Sequence, residues 1–246
     1  GNENLINLPA QIDIAEIIIY ARTLTSAERN KIESYLAVKY GFTLDQSVAN
    51  ANDYTSSNGT IIWNRAANTG YAANITGIGR DDATGLMQKQ SKSINTAALV
   101  TLYNNNTYAA GNFPLLNAGN PNGFTTDQSF LLIGDNAGTT TLDQCIFNGK
   151  GQRMQRVWKV SQSGPSVPVT YSVDQGTVPA GVKNIIVSND PAFPAASTSI
   201  HVLTVANGKL YTDLALNPND YFTYASDTVA VTMVPTQPLC TNPNSG

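Results

Sequence analysis

Few residues in this chain have the types and spacing that chemistry needs. Arg80-Asp81-Asp82 lies inside Gly77–Asn95, GIGRDDATGLMQKQSKSIN, and sets two adjacent carboxylates on a turn between two strands. Hard oxygen ligands of that kind suit Ca²⁺, but the DxDxDG spacing is missing and Gly85 is the only loop glycine nearby. The expectation is a turn whose aspartates bond local amides while Arg80 pairs with one of them. Asp135-Asn136, directly after Gly134, reads as an Asx-turn on the same grounds. His201 is the single histidine, so any Ser-His-Asp triad rests on it alone, and neither GxSxG nor HExxH surrounds it. A strand histidine with a satisfied hydrogen bond is the expected role. The 17 acidic residues fall mostly in turns and loops, which weakens the case for the paired carboxylates of glycoside hydrolysis. No catalytic residue and no cofactor is assigned, calcium being the one metal left open, and the chain is not expected to be an enzyme.

The two cysteines, Cys145 and Cys240, form no CxxC and are too few for a zinc site. In an oxidising compartment they could pair across a loop of about 95 residues, which would contribute roughly 4–5 kcal/mol in the chain-entropy account. Two unrelated thiols is the other reading. Trp63, Tyr71, Tyr103 and Tyr108 lie near loops, where aromatic rings either stack on sugars or line the core. Asn58-Gly59-Thr60, Asn74-Ile75-Thr76 and Asn105-Asn106-Thr107 fit the N-glycan acceptor pattern, which recurs by chance in an Asn/Thr-rich chain.

The composition narrows the class of partner. Charged residues make up only 13% of the chain, about half the usual ~25%, and Asn, Thr, Ser, Gly and Ala stand in their place. That solubility strategy suits an extracellular protein. The net charge is −3 with no basic block, which argues against nucleic acid as a partner. No apolar run approaches the ~20 residues of a membrane helix. The sequence opens at Gly1 without Met, so either a leader has been removed or this is a piece of a longer protein.

The elements that must position these residues are mainly β. Gln11–Tyr20, QIDIAEIIIY, alternates at Ile12 and Ile14 and becomes continuously apolar at Ile17, Ile18, Ile19 and Tyr20, the pattern of a strand buried on both faces. A helix follows: Thr25-Ser26-Ala27-Glu28 is a capping box, Ile32, Tyr35, Leu36 and Tyr40 share a face, and Gly41 ends it. From Ile61 the pattern is β, with short strands at Ile61–Trp63, Ile75–Gly79, Leu86–Ser93, Ala97–Tyr103, Ser129–Ile133, Gln152–Val160, Val167–Val173, Lys183–Val187 and Tyr221–Ala225. His201–Ala206 and Lys209–Leu214 flank Asn207-Gly208, the strongest short hairpin signal. The expected fold is mainly β, antiparallel β-sandwich with one N-terminal α-helix. The expected organisation is a terminal strand plus helix over 1–45, a β-rich subdomain over 46–150, a β-sandwich subdomain over 151–226 and a tail or linker over 227–246.

Residues 15–44, AEIIIYARTLTSAERNKIESYLAVKYGFTL, resemble the end of a LamG/concanavalin-like domain. The stretches IIWN at 61–64, GIGRDDATGLMQKQSKSIN at 77–95, FLLIGDN at 130–136 and RVWKV at 156–160 resemble an uncharacterised β-rich module that follows such domains in secreted surface proteins of Bacteroidota. The resemblance implies secretion, an adhesin-like multidomain setting and a β-sandwich, and it brings no catalytic residues. Asp227-Thr228-Val229 is similar to the Asp-Ser/Thr-apolar O-glycosylation acceptor of Bacteroidota, which makes Thr228 a candidate. What precedes Gln11–Tyr20 in a LamG-like jelly roll is missing here, so that strand must pair within the chain or with a neighbouring one. Strand addition to another subunit is a known route to surface fibres. The expected function is a structural or adhesion module at the cell surface, with a filament subunit pairing in trans through Ile12, Ile14, Ile17, Ile18, Ile19 and Tyr20 as its specific form. Its partners would be further copies or neighbouring domains. The alternative is a carbohydrate-binding module with glycan partners.

Overall fold

The computed structural model describes residues 13–47, 52–104, 112–149 and 151–227. Helix α1 (Ser26–Tyr40) starts where the capping box predicts. The Thr25 side chain accepts from the Glu28 amide at 3.2 Å, and the Glu28 carboxylate accepts from the Thr25 amide at 2.9 Å. Gly41 closes the helix in the left-handed conformation, φ 71°, with its N–H donating to the Ala37 carbonyl. The residues α1 buries are the small ones, Ser34, Ala37 and Val38, rather than Ile32, Tyr35, Leu36 and Tyr40, which are half-buried. Small side chains let the helix approach the sheet closely, and Ser34 Oγ accepts from the Thr55 amide at 2.9 Å.

The strands are β1 (Tyr54–Thr55), β2 (Ile61–Trp63), β3 (Ala73–Asp81), β4 (Leu86–Gln88), β5 (Gln90–Lys92), β6 (Thr101–Asn104), β7 (Ser129–Asp135) and β8 (Leu142–Cys145). They continue with β9 (Gln152–Met154), β10 (Trp158–Ser163), β11 (Val169–Asp174), β12 (Val182–Ser188), β13 (Thr198–Val202), β14 (Thr204–Ala206), β15 (Lys209–Leu214) and β16 (Tyr221–Ser226). All pairings are antiparallel. A nine-stranded sheet runs β13-β12-β16-β10-β7-β3-β4, with β9 pairing β16 and β8 pairing β9. A five-stranded sheet runs β14-β15-β11-β6-β5, and β1 and β2 form a small third sheet.

The two large sheets share one core. Ile78, Leu131, Ile133, Trp158, Ile185 and Phe222 from one meet Leu102, Val169, Tyr171, Val173 and Leu210 from the other. Trp158 stacks on Phe222 with centroids 5.4 Å apart and meets Tyr224 edge-on at 5.5 Å. The opposite face of β3 and β7 is also covered. Ile75, Phe130 and Leu132 pack against Ala37 and Val38 of α1 and against Tyr54, Ile62 and Trp63 of the small sheet. Burial on both faces explains why β7 reads as a continuous apolar run. It also explains two glycines: Gly77 and Gly79 lie opposite Leu132 and Phe130, whose side chains lean over them.

Two stretches that read as single strands pass from one sheet to the other. Leu86–Ser93 divides at Lys89 into β4 of the large sheet and β5 of the five-stranded sheet. The backbone at the crossing is satisfied from the Asn-rich loop: Asn117 Oδ1 accepts from the Lys89 amide at 2.6 Å, and Asn120 Nδ2 donates to the Lys89 carbonyl at 3.0 Å. His201–Ala206 divides at the buried Leu203 into β13 and β14, on the edges of the two sheets. The hairpin itself stands, with Asn207 and Gly208 both at positive φ between β14 and β15. Gln152–Val160 is likewise two strands, β9 and β10.

Two expectations need correction. Gln11–Tyr20 is not a strand over its described part: residues 13–20 join no ladder and are tied to the helix instead, through the bonds of Glu16 with Lys39 and Tyr40. Ile12 lies outside the described residues. A boundary near 150 has no counterpart in space either, since β7 lies beside β10 and β6 beside β11, so both sheets draw strands from either side of it. Strand pairing over long sequence separation overrides that division.

Candidate functional site

Arg80 and the two aspartates fix the turn between β3 and β4, each in its own way. Arg80 grips Asp82 with two bonds, Nε to Oδ1 at 2.7 Å and Nη2 to Oδ2 at 2.8 Å, and donates through Nη1 to the Phe124 and Thr125 carbonyls. The guanidinium holds the Asp82 carboxyl below its ordinary range. Asp81 turns the other way and is buried. Its carboxylate accepts from the Ser57 amide at 2.8 Å and the Ser57 hydroxyl at 2.6 Å, tying the turn to the loop after β1. Gly85, at φ 68°, completes the turn. With both carboxylates engaged by protein donors, the arrangement is structural.

Asp135 ends β7 as the core of an Asx-turn. Oδ1 accepts from the Ala137 amide at 2.8 Å and Oδ2 from Asn74 Nδ2 at 2.7 Å. Burial pushes the Asp135 carboxyl up, against the pull of those two bonds and of Arg156. Asn136 Oδ1 accepts from the amides of Gly138 and Val157. Asn74 is itself buried at φ 50°, so that glycan acceptor is not available in the folded chain. Among the described residues, no group of three or more His, Cys, Asp or Glu side chains is placed to hold a metal ion.

His201 lies on edge strand β13, its Nε2 hydrogen-bonded to Ser199 Oγ at 2.9 Å, and partial burial lowers its pKa. Cys145 is exposed at the end of β8, while Cys240 and Thr228 lie outside the described residues. Trp63 is fully buried over Gly134 and Tyr103 is buried against Phe113, so neither offers a platform to a sugar. Tyr108 lies outside the described residues. Tyr71 lines an open cleft.

The largest anomaly of the surface is the segment before α1. Ile14, Ile17 and Ile19 are 58%, 68% and 86% exposed, and Ile18 and Tyr20 are exposed as well. Contiguous apolar surface of this kind marks an interaction site. The segment is clamped at both ends along the outside of α1. Glu16 accepts from Lys39 Nζ and from the Tyr40 hydroxyl, both at 2.9 Å, and those partners hold its carboxyl below the ordinary range. Arg22 grips Glu28 at 2.6 and 2.9 Å. Between clamp and helix lies a cleft of about 460 Å³, lined by Ile18, Tyr20, Leu24, Ile32 and Tyr35. Ile32 and Tyr35 of α1, which the sheet does not bury, thus line the cleft beside this segment.

A family model described as "Domain of unknown function (DUF8202)" matches residues 28–221, well over half of the chain, and the protein belongs to that family. The matched region takes in the five-stranded sheet, the strands of the nine-stranded sheet up to the first residue of β16, and most of α1. The exposed segment lies ahead of it. Neither a search of the curated proteins nor a search of the solved structures returned a match.

Proposed function

We propose that this is a non-enzymatic, extracellular module of a bacterial surface protein, and that it joins its neighbours by pairing residues 14–20 with an open sheet edge of an adjoining copy or domain. The observation that carries the reading is the exposure of Ile14, Ile17 and Ile19 on a segment that forms no ladder, held at Glu16 and Arg22. The position of the segment outside the family-matched region supports a role between domains. Burying four isoleucines at roughly 1.5–3 kcal/mol each gives about 6–12 kcal/mol, close to the ~4–15 kcal/mol cost of association. One segment alone thus makes a transient contact, and stable joining requires reciprocal exchange or a tether within one polypeptide.

Hydrogen exchange on the native surface material tests this. Amides of 14–20 are expected to be protected there and unprotected in the isolated monomer. The double substitution Ile17→Asp/Ile19→Asp is expected to abolish that protection and any self-association seen by light scattering. Unprotected 14–20 amides in the native assembly would overturn the reading.

A further inference from the structure

A second opening lies where the outer end of β9 meets the turn after β7. It is a polar cleft of about 370 Å³ lined by Tyr71, Asn136, Gln144, Arg153, Gln155 and Pro191. It shares no residue with the 14–20 segment or its clamps. Arg153 is its unusual member. The side chain is half-buried, with its guanidinium carbon 4.9 Å from the Phe193 ring centroid and Nη1 donating to the Met154 carbonyl at 3.0 Å. Nε is buried with no hydrogen-bond partner, and among the described residues no carboxylate lies within 4.0 Å of the guanidinium. Every ion pair of the described residues is at least partly exposed, whereas this unpaired cation is half removed from water with an aromatic face and one carbonyl in return. Nε itself is out of a ligand's reach, but the cost of the half-buried cation falls when an anion in the cleft meets the part of the guanidinium that lines it. Burial lowers the Arg153 pKa, opposed by Tyr71 and by the more distant Asp143.

The other lining groups are arranged for a hydroxylated ligand. Gln144 and Gln155 both turn their amide nitrogens to Asp143, at 3.0 and 2.9 Å, which leaves each amide oxygen as an acceptor. Asp143 is thereby engaged by both amides, and its charge acts on Arg153 only through space, without an ion pair. Tyr71 is held by its ring contact with Tyr221 at 5.2 Å. An arginine fork for a carboxylate, two amide acceptors for hydroxyls and a phenol at the rim fit one ring of an acidic sugar.

We infer that the cleft binds the carboxylate-bearing sugar residue, a hexuronate, of an acidic polysaccharide. Arg153 takes the carboxylate, the oxygens of Gln144 and Gln155 accept from ring hydroxyls, and Tyr71 closes the side. A peptide C-terminus offers the same carboxylate, but its side chain needs an apolar pocket and this lining is mainly polar. This inference stands apart from strand pairing, and either can fail without the other.

The test is a titration followed by amide chemical shifts, using a galacturonate trisaccharide, its neutral galactose counterpart and an N-acetylated tripeptide with a free C-terminus. The acidic trisaccharide is expected to bind with a Kd on the order of 1 mM or tighter, shifting amides around Asn136 and Arg153–Gln155. The neutral sugar is expected to bind at least about tenfold more weakly, and added salt to weaken the acidic one. Arg153→Gln is expected to cost about tenfold or more, and Arg153→Lys less. Because Arg153 also packs on Phe193, Gln155→Ala, on an exposed residue, supplies a variant that keeps the fold and is expected to weaken binding severalfold. Equal binding of acidic and neutral sugars, preference for the peptide, or no shifts from any of the three overturns the assignment.

Discussion

Substituting Gly79 by alanine tests the packing that holds the helix to the sandwich. The added methyl would stand 2.3 Å from Phe130 Cδ1 and 2.9 Å from Cγ and Cε1. Ordinary carbon contacts are about 3.5–4.0 Å, so the ring or the strand must move by roughly 1 Å. Phe130 has little freedom, being 2% exposed in a cluster with Ala37, Val38 and Leu86. Overpacking of this kind costs about 2 kcal/mol, which lowers the melting midpoint of a chain this size by roughly 4–8 °C. Phe130→Ala alone costs about 3–5 kcal/mol through the cavity it leaves. In that background the new methyl fills part of the hole, so Gly79→Ala is expected to be neutral or stabilising. Denaturant unfolding of the four proteins then gives a coupling of about 2 kcal/mol. Additivity within about 0.5 kcal/mol, or a Gly79→Ala protein as stable as the parent, would refute the argument that Phe130 makes Gly79 obligatory.

Ser57→Ala removes the hydroxyl donor to buried Asp81 and is expected to cost about 1–2 kcal/mol by thermal unfolding, while Ser57→Thr keeps most of it. Glu28 has its carboxyl lowered from the ordinary 4.5 to about 2, chiefly by Arg22 and then by the Thr25 amide. A lowered folded pKa stabilises above the unfolded value, so the melting gap between the parent and Glu28→Gln is expected to be full above pH 4.5 and to close as pH falls toward about 2. Since both groups are exposed, added salt is expected to narrow that gap as well. Trp158→Ala is expected to cost about 3–5 kcal/mol in guanidinium unfolding, because its ring is stacked and edge-packed at the centre of the core. Gly208→Ala, at φ 75°, is expected to cost about 1 kcal/mol by the same assay.

Where local chemistry decides the outcome, the sequence is a good guide. Thr25 and Glu28 announce the start of α1, Gly41 its end, and Asn207-Gly208 the hairpin, since each needs only near neighbours. The alternation at Val169, Tyr171 and Val173 likewise points to the core face of β11. Sheet membership is another matter. Nothing local to Lys89 or Leu203 tells that a strand leaves one sheet there for another, because the partners that capture it, Asn117, Asn120 and Lys183, lie far along the chain or across the sandwich. The helix face shows a related limit: size points to Ile32, Tyr35, Leu36 and Tyr40, whereas close approach to the sheet selects Ser34, Ala37 and Val38. Of the candidate site, the apolar run at 14–20 is plain in the sequence, but its exposure is not. Arg153 passes unnoticed because one arginine in a short strand is ordinary until its lack of a counter-charge is seen.

The place of β16 has a consequence for how the chain is made. This last described strand sits in the interior of the nine-stranded sheet, pairing β12 on one side and β10 and β9 on the other. A chain emerging from its N-terminus can assemble β3, β4, β7 and β10 early, and β12 with β13 separately. The two halves then wait with facing open edges until Tyr221–Ser226 arrives to bridge them. Until that moment, the nascent molecule is a pair of unsealed sheets, the state in which edges recruit foreign strands. A protein cut short before Tyr221 is thus not a smaller version of this fold but a sheet with a slot in its middle.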